Sequence, residues 1–350
     1  MKILGVEVVP YSLPFREPYV TARGTLTRRE MVLLRLRDED GLVGLGEAVP
    51  LSLRGGASLT TVVAELEGLA ARDQLDEEAL LAGVPELSPP ARCAALTALL
   101  DLRSRRAGTM SEVKPVECNA TLIAAEPAAV AADAERWAAE GFTTFKLKLG
   151  AGDDAGRVRA VRDAVGPAAR IRVDANAAWD AQSAIRVLSQ VEPFEIELVE
   201  QPAATLADLA AIGAATPIPI AGDESIASRA EAEAAVRAGA CDIAATKLSK
   251  VGGPEEAIEI ARAMPSYISS ALDGPVGIAA AAQVAQTLDA AAPADGLRLA
   301  HGLATQRLFA STVASVECEL RNGMLHPPPG PGLGVEIDEE ALQAHRLDLR

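Results

Sequence analysis

Five ionisable residues recur along the chain at nearly constant intervals, each at or next to the end of a β-type run. They are Lys148, Asp174, Glu200, Asp223 and Lys247, separated by 26, 26, 23 and 24 residues. An interval of this size matches one strand, one helix and two loops, so the side chains should lie at the same height on successive parallel strands. Such strands present functional groups at their carboxyl ends when they close into a barrel. The spacing therefore predicts that three carboxylates and two amines converge at one point.

The chemistry of this set follows from its charges. Three carboxylates that face one another repel strongly unless a cation neutralises them, and oxygen ligands on rigid strands suit Mg2+, which Mn2+ could replace. We therefore expect Asp174, Glu200 and Asp223 to bind a divalent metal. A lysine that is desolvated near a metal can have its pKa lowered enough to act as a base, which makes Lys148 and Lys247 the candidate catalytic residues. Metal plus lysine suits removal of a proton next to a substrate carboxylate.

Three nearby residues are candidates for a supporting role. Lys146 lies two residues before Lys148 and so points the same way on its strand, either raising the local positive potential or lining the barrel structurally. Asn176 would support Asp174 or simply form a turn. Glu224 is expected to support the metal site rather than to be a ligand itself.

The elements that would position these residues form a regular pattern. Short β-type runs alternate with Ala-rich amphipathic helices, the pattern of a (β/α)8 (TIM-type) barrel, which we place at residues 113–315. The predicted strands are 117–123, 144–149, 171–174, 196–200, 218–222, 243–248, 267–271 and 297–301. The helix candidates between them include 127–140, 181–190, 229–238, 254–263 and 276–290.

Residues 1–112 show a different order of elements, with strands first and helices afterwards, which predicts a separate α+β capping domain. The tail, residues 316–350, is expected to return and complete it. The predicted strands are 3–10, 31–38 and 42–48, with a hairpin turn at 38–41, followed by helices at 61–71 and 90–107. Two stretches rich in Gly, Thr and Arg, 21–29 and 51–60, are predicted as exposed loops.

Composition restricts the partners. The 350 residues include 49 Asp and Glu against 33 Lys and Arg, a net charge of −16, which argues against nucleic acid or an anionic membrane surface as the main partner. No apolar run reaches the length of a membrane span, and no signal peptide is evident, so we expect a cytoplasmic protein. The sequence does not indicate the oligomeric state. The four cysteines lack paired spacing and are expected to be small buried hydrophobic residues.

The motifs around these residues resemble the enolase superfamily, and in particular its muconate-lactonising-enzyme subgroup. The resemblance covers essentially the whole chain and implies a barrel whose mouth is covered by two loops of the capping domain. It also implies that Lys148 takes the α-proton, while Lys247 stabilises the opposite side of the substrate or acts as a second acid/base. The motifs are Lys146-Leu147-Lys148, Asp174-Ala175-Asn176, Glu200-Gln201-Pro202, Asp223-Glu224-Ser225, and Lys247 followed by Gly252-Gly253.

Within this subgroup, two segments look like the seventh and eighth strands of the o-succinylbenzoate synthase family, which serves menaquinone biosynthesis. They are Ser269-Ser270-Ala271-Leu272 and His301-Gly302-Leu303-Ala304-Thr305. One departure is Asp273-Gly274-Pro275, which stands where that family would have a Glu-Ser or similar polar pair.

The resemblance implies a small-molecule carboxylate as substrate and dehydration as the reaction. Ser269, Ser270, Gly302 and Thr305 would form a small, uncharged wall with room for a bulky ring. Arg23 and Arg54, in the two polar loops, are candidates for contacting an anionic substrate tail.

Three alternatives stay open. An N-acylamino-acid racemase or dipeptide epimerase would use both lysines as acid/base groups, although residues 299–303 lack the Asp-x-Asp typical of dipeptide epimerases. A muconate-type cycloisomerase would use the same site. A non-catalytic barrel that binds small anions would not need a lysine on each side. A histidine-based mechanism is not expected, because His301 has no obvious carboxylate partner in the sequence and the other two histidines lie in the tail.

Overall fold

The computed structural model describes residues 1–21, 24–51, 55–72, 75–110, 114–123, 126–150, 152–292 and 298–349. An antiparallel sheet opens the chain, with strands β1 (Ile3–Thr21), β2 (Gly24–Asp38) and β3 (Val43–Ala48) in that order. The predicted turn at 38–41 is confirmed, since the Asp38 carboxylate accepts the backbone N–H groups of Asp40 and Leu42.

The prediction of an exposed loop at 21–29 was wrong for most of its length. β2 begins at Gly24, and Leu26 and Arg29 pair with Tyr19 and Leu13 of β1. The Thr residues of this stretch favour strands as readily as loops, and the long-range pairing of a hairpin decides between them.

Three helices pack on one face of this sheet, and β2 is buried on both faces. Val32, Leu34 and Leu36 pack in the core shared with the helices, whereas Met31 and Leu33 belong to the barrel core. This alternation joins the cap to the barrel because successive residues of a strand point to opposite faces. The helices are α1 (Leu59–Ala70), α2 (Glu77–Gly83) and α3 (Pro89–Ala107), with a 3₁₀ turn at Val84–Glu86.

The middle of the chain forms the barrel. Seven parallel strands are hydrogen-bonded in sequence order, and the bridges of Cys118 with His301 and of Ser269 with Gly302 close the ring at the eighth position. The predicted eighth strand is thus reduced to single bridges, and Leu297 lies outside the described residues. The strands of the ring are β5 (Ala120–Leu122), β6 (Thr144–Lys148), β7 (Arg170–Asp174), β8 (Ile196–Glu200), β9 (Ile220–Gly222), β10 (Ile243–Thr246) and β11 (Ser266–Ile268), preceded by the short β4 (Val116–Glu117).

Helices surround the barrel strands, each burying one apolar face. In α6 (Ala181–Val191), for example, Ala184, Leu188 and Val191 recur at the spacing of one helix face and are completely buried. The helices are α4 (Pro127–Ala139), α5 (Asp154–Val165), α6 (Ala181–Val191), α7 (Leu206–Gly213), α8 (Arg229–Arg237), α9 (Leu248–Val251), α10 (Pro254–Ala263) and α11 (Pro275–Ala291), with 3₁₀ turns at Glu192–Phe194 and Ala304–Leu308.

The tail contacts both parts of the molecule. The tail strand β14 (Met324–His326) pairs with β4 beside the barrel, while the backbone N–H of Leu347 donates to the carbonyl oxygen of Pro10 in β1. The division into residues 1–112 with 316–350 and residues 113–315 stays our proposal. The tail elements are β12 (Ala314–Val316), β13 (Glu319–Arg321), β14 (Met324–His326), β15 (Glu336–Ile337) and α12 (Glu339–His345).

The architecture is a (β/α)8 barrel with an α+β capping domain, as predicted. Cys93, Cys118, Cys241 and Cys318 are all buried and form no disulfide, which confirms their expected role. Among the described residues, none of the helices has both the length and the hydrophobicity to cross a membrane.

Candidate active site

The five residues at constant spacing meet at the carboxyl ends of the barrel strands. Lys148 of β6 is the register partner of Asp174 on β7, and Asp174 is the partner of Glu200 on β8. Asp223 directly follows β9 and Lys247 directly follows β10. The three carboxylates are completely buried. The structure therefore brings together every member of the predicted set.

Ammonium groups lie against each carboxylate of this layer. Lys146 Nζ is 2.9 Å from Asp174 Oδ2 and 2.5 Å from Glu200 Oε2. Lys148 Nζ donates to Asp174 Oδ2 at 2.6 Å, and Lys247 Nζ contacts Asp223 Oδ2. Lys146 is thus an ion-pair partner of two candidate metal ligands, beyond the general positive potential expected of it.

The ion pairs shift the pKa values of the site. Burial alone would raise the pKa of Asp174, but Lys146 and Lys148 hold it far below its usual range. Burial alone would lower the pKa of Lys148, yet the attraction of Asp174 outweighs it and the pKa is raised. The sequence analysis expected a lowered lysine pKa beside a bound metal. Where lysines pair with the carboxylates instead, the neighbouring carboxylate charge acts more strongly than desolvation.

The donor set suits a hard divalent cation. Glu200 Oε2 accepts from Lys146 and from the Tyr267 hydroxyl, whereas Glu200 Oε1 is buried without a hydrogen-bond partner and has the Lys247 ammonium no nearer than 4.0 Å. A buried carboxylate oxygen left in this way is costly, and coordination by a cation would relieve the cost. Across the described ranges, no group of three or more His, Cys, Asp or Glu side chains is arranged to hold a metal ion; the ammonium groups stand against these carboxylates.

Asn176 and Glu224 lie beside these five residues and line the cleft above them. The backbone N–H of Asn176 donates to Asp174 Oδ1 at 2.9 Å, and its side-chain Oδ1 accepts from Lys148 Nζ at 2.9 Å. Its Nδ2 is 3.4 Å from Glu224 Oε1. Asn176 therefore orients both the Asp174 carboxylate and the Lys148 amine.

Gln201 fixes the position of Asp223 and was not singled out from the sequence. Its Oε1 accepts the backbone N–H groups of Asp223 at 2.9 Å and of Ser225 at 3.1 Å. Its own backbone is left-handed, with φ of 39°, which turns the side chain back over the end of β8. The signal was available in the Glu-Gln-Pro motif, but the sequence did not show what the amide would contact.

Two further residues join the layer through tertiary contacts. Lys250, three residues after Lys247 on the single turn of α9, places Nζ 3.0 Å from Asp223 Oδ1. Tyr267 projects into the barrel from β11, and its hydroxyl donates to Glu200. The Arg172 guanidinium lies 4.8 Å from the Tyr267 ring centre and supports it from below. The Lys-x-x-Lys spacing was a signal for Lys250, whereas Tyr267 gave none.

A cleft of about 1040 Å³, including its open mouth, lies above this layer between cap and barrel. The predicted wall residues Ser269, Ser270, Gly302 and Thr305 all line it. Arg23 and Arg54 lie outside the described residues. The other lining residues are Tyr19, Leu26, Arg29 and Leu51 from the cap, and Thr121, Lys146, Lys148, Asn176, Glu224, Lys247, Lys250, Ala271 and Leu272 from the barrel.

His301 differs from its description in the sequence analysis. Its Nε2 lies 3.3 Å from a carboxylate oxygen of Asp289, twelve residues earlier on α11, and its Nδ1 accepts the backbone N–H of Ile268. One ring nitrogen therefore bonds to β11 and the other faces α11, so the imidazole holds the eighth barrel position against both elements. Of the residues that the structure describes, no histidine lines the cleft.

Comparison with known protein families gives a consistent result for both parts of the chain. Residues 3–111 match the mandelate racemase / muconate lactonizing enzyme N-terminal domain, and residues 129–341 match the enolase C-terminal domain-like family. The chain belongs to the enolase superfamily. The resemblance inferred from the motifs is thereby confirmed, and so is the fold that it implied.

Individual relatives of this superfamily member catalyse different reactions. The o-succinylbenzoate synthase of Thermobifida fusca is 37% identical over 219 residues, which cover 60% of this chain and 65% of the synthase, just under two thirds. The muconate lactonizing enzyme of Pseudomonas fluorescens, solved with muconolactone, has a TM-score of 0.89 at 28% identity and covers 99% of both chains. The dipeptide epimerase of Cytophaga hutchinsonii, solved with Mg and D-Ala-L-Val, has a TM-score of 0.88 at 27% identity and covers 98% of both chains.

Proposed function

We propose that this protein is a Mg2+-dependent enzyme that removes a proton next to a substrate carboxylate, and that its main reaction is the dehydration that forms o-succinylbenzoate. The observation that carries the choice of reaction is the wall formed after β11 and at the eighth barrel position. Ser269, Ser270, Gly302 and Thr305 face the cleft there. No acidic side chain among the described residues of this wall lines the cleft, so a peptide ammonium group would find no counter-charge on this side.

The charges around the cleft favour an anionic substrate. Arg29, Lys146, Lys148, Lys247 and Lys250 line it, and among the described lining residues the one carboxylate is that of Glu224. These cations lie in a partly desolvated site, where their interaction with a substrate carboxylate is stronger than in water. With the buried Asp174, Glu200 and Asp223 also counted, five cations face four carboxylates, which leaves a small positive charge at the cleft of a protein whose net charge is −16.

Each residue of the site has a role in this proposal. Asp174, Glu200 and Asp223 would hold Mg2+, which supplies charge stabilisation for the substrate carboxylate as its α-proton leaves. Lys148 Nζ would accept that proton, and its bond to Asn176 Oδ1 would keep it aimed at the cleft. Lys247, four strands away along the ring, would hold a positive charge on the other side of the substrate. Glu224 and Lys146 would keep these groups in place.

A racemase is the second candidate, because both Lys148 and Lys247 line the cleft and racemisation needs an acid/base group on each side. Dehydration needs one base and one fixed charge. A dipeptide epimerase is among the structurally similar relatives, which supports racemisation or epimerisation as the second candidate.

Lys247→Arg separates the two reactions. Arginine keeps the positive charge but cannot exchange a proton near neutral pH, so dehydration should persist within about tenfold while racemisation falls by roughly 10²–10⁴-fold. The assay follows turnover of the cyclohexadiene precursor and of N-acylamino acids, together with α-proton exchange in D2O.

The matched control is Lys148→Arg, which should abolish both reactions. If wild-type protein turns over N-acylamino acids far faster than the cyclohexadiene precursor, the racemase assignment replaces ours. If no α-proton of any candidate acid exchanges, the protein is a binding barrel.

A further inference from the structure

The cleft wall after β11 is a strained turn, residues 269–274, that we name the wall turn. Leu272 lies in the left-handed region with φ of 67°, a strained backbone conformation for a residue with a side chain. The Asp273 carboxylate accepts the Ser270 hydroxyl and the Ala271 N–H, both at 2.7 Å. Ser270 Oγ in turn accepts the backbone N–H groups of Leu272 and Asp273. The turn therefore persists only because several contacts hold it.

One of these contacts comes from the capping sheet. Glu47, next to last in β3, is buried at the interface with the barrel. Its Oε1 accepts the backbone N–H of Gly274 at 2.6 Å, and its Oε2 accepts the Tyr11 hydroxyl at 2.8 Å. Gly274 is the residue that precedes α11, where the first N–H groups have no partner within the helix. The cap thus supplies an acceptor to a barrel helix and to the turn before it.

The packing leaves no room for a different arrangement. A Cβ on Gly274 would lie 2.4 Å from the Tyr11 hydroxyl and 2.7 Å from Glu47 Oε2. A Cβ on Gly277 would lie 2.7 Å from Glu47 Oε1 and 2.8 Å from the Cβ of Asp273. The absence of side chains at Gly274 and Gly277 therefore makes the space that the Glu47 carboxyl group occupies. This contact accounts for glycine in the Asp273-Gly274-Pro275 departure noted in the sequence.

We propose that Glu47 is a positioning residue, which sets the place of the wall turn and so determines how the substrate fits in the cleft. It touches no substrate itself and acts through Gly274 and Asp273 on Ser270 and Leu272. Because β3 carries Glu47, its hydrogen bond with Gly274 links the cap to this wall. The inference rests on the proposed function for the identity of the ligand, but its structural part does not.

The test compares Glu47→Ala with Glu47→Gln. Glutamine can accept the Gly274 N–H and bond to Tyr11, so it should rescue what alanine loses. Two readouts are used, with Mg2+ present: the Kd for o-succinylbenzoate by calorimetry, and amide hydrogen exchange in residues 269–279. We expect Glu47→Ala to raise Kd about tenfold and to speed exchange in this segment about tenfold relative to β6–β8, consistent with loss of one or two buried hydrogen bonds.

Asp101→Ala is the matched control. Asp101 is also a buried carboxylate of the cap and accepts two backbone N–H groups, those of Leu45 and Leu333, but it does not touch the wall turn. It should lower thermal stability without changing exchange in residues 269–279 or the Kd. Equal effects of the two alanine variants on exchange and Kd would overturn the proposal, as would normal exchange in Glu47→Ala.

Two further results are distinguishable. If Glu47→Ala does not fold, Glu47→Asp, whose carboxyl is one methylene shorter and so withdraws from the Gly274 N–H, must speed exchange in residues 269–279, and normal exchange there would overturn the proposal. If no form of the protein binds o-succinylbenzoate, the proposed substrate is wrong, and the exchange measurement alone decides the role of Glu47.

Discussion

Replacing Glu47 with glutamine should flatten the dependence of folding stability on pH. Burial raises the pKa of the Glu47 carboxyl from 4.5 to about 8, and repulsion from Asp273 adds to the rise, while hydrogen bonds from Tyr11 and Gly274 oppose it. In the unfolded chain the same carboxyl titrates near its ordinary value. Between these two values the folded protein keeps a proton that the unfolded chain releases.

The sign and size follow from proton linkage. Because the unfolded state binds fewer protons in this window, stability is fully present below pH 4.5 and is lost as pH rises through 8. Each pH unit costs about 1.4 kcal/mol, so the full window costs on the order of 5 kcal/mol. Other groups that face Glu47 do not mask this slope: burial raises the pKa of Tyr11 further and that of Cys93 to about 12, so both stay protonated.

The assay is urea unfolding between pH 5 and pH 8.5 with EDTA present, so that metal binding does not contribute. Wild type and Glu47→Gln should have similar stability at pH 5, where both side chains are neutral. At pH 8.5 the variant should be more stable by several kcal/mol. Glu7→Gln, which removes an exposed carboxylate from β1 of the same sheet, is the control and should parallel the wild type. Parallel curves for Glu47→Gln would refute the reasoning.

Two further predictions concern the proposed metal site. Chelation with EDTA should abolish activity and Mg2+ should restore it, while Asp174→Asn should bind Mg2+ poorly in calorimetry; full activity after thorough chelation would contradict this. Tyr267→Phe removes only the hydroxyl that donates to Glu200, so the barrel should stay folded and the Kd for Mg2+ should rise about tenfold. An unchanged Kd would show that Tyr267 does not position the carboxylate.

The barrel was predictable because its repeat has a nearly constant length. The predicted bounds of β8 and α10 agree with the structure at both ends, since each is a short apolar or amphipathic run between clear turn signals. The cap was harder to predict. Residues 24–29 pair with residues of β1 that lie up to 16 positions earlier, and local composition carries no information on such pairing.

In the candidate site, too, the residues set by the barrel repeat were predictable and those set by tertiary contacts were not. The five converging residues could be found because periodicity alone places them on one ring. The sequence carried a motif signal for Gln201 and Lys250 and none for Tyr267. The contacts of all three could not be predicted, because they depend on how the backbone turns after a strand or on which side chains fill the barrel interior. The partner of His301 was missed for a related reason, since Asp289 is close to it only when α11 packs on the ring.

The lysines and carboxylates of the site depend on each other for burial. A buried ammonium group without a counter-charge would be expelled or neutralised, and so would a buried carboxylate. Lys146 lies between Asp174 and Glu200, while Lys247 and Lys250 both contact Asp223, so removing Asp223 would take a counter-charge from two ammonium groups at once. A divalent cation at the carboxylates would compete with the same ammonium groups for the same oxygens. Binding of a divalent cation at these carboxylates would therefore displace ammonium groups from the oxygens that they contact.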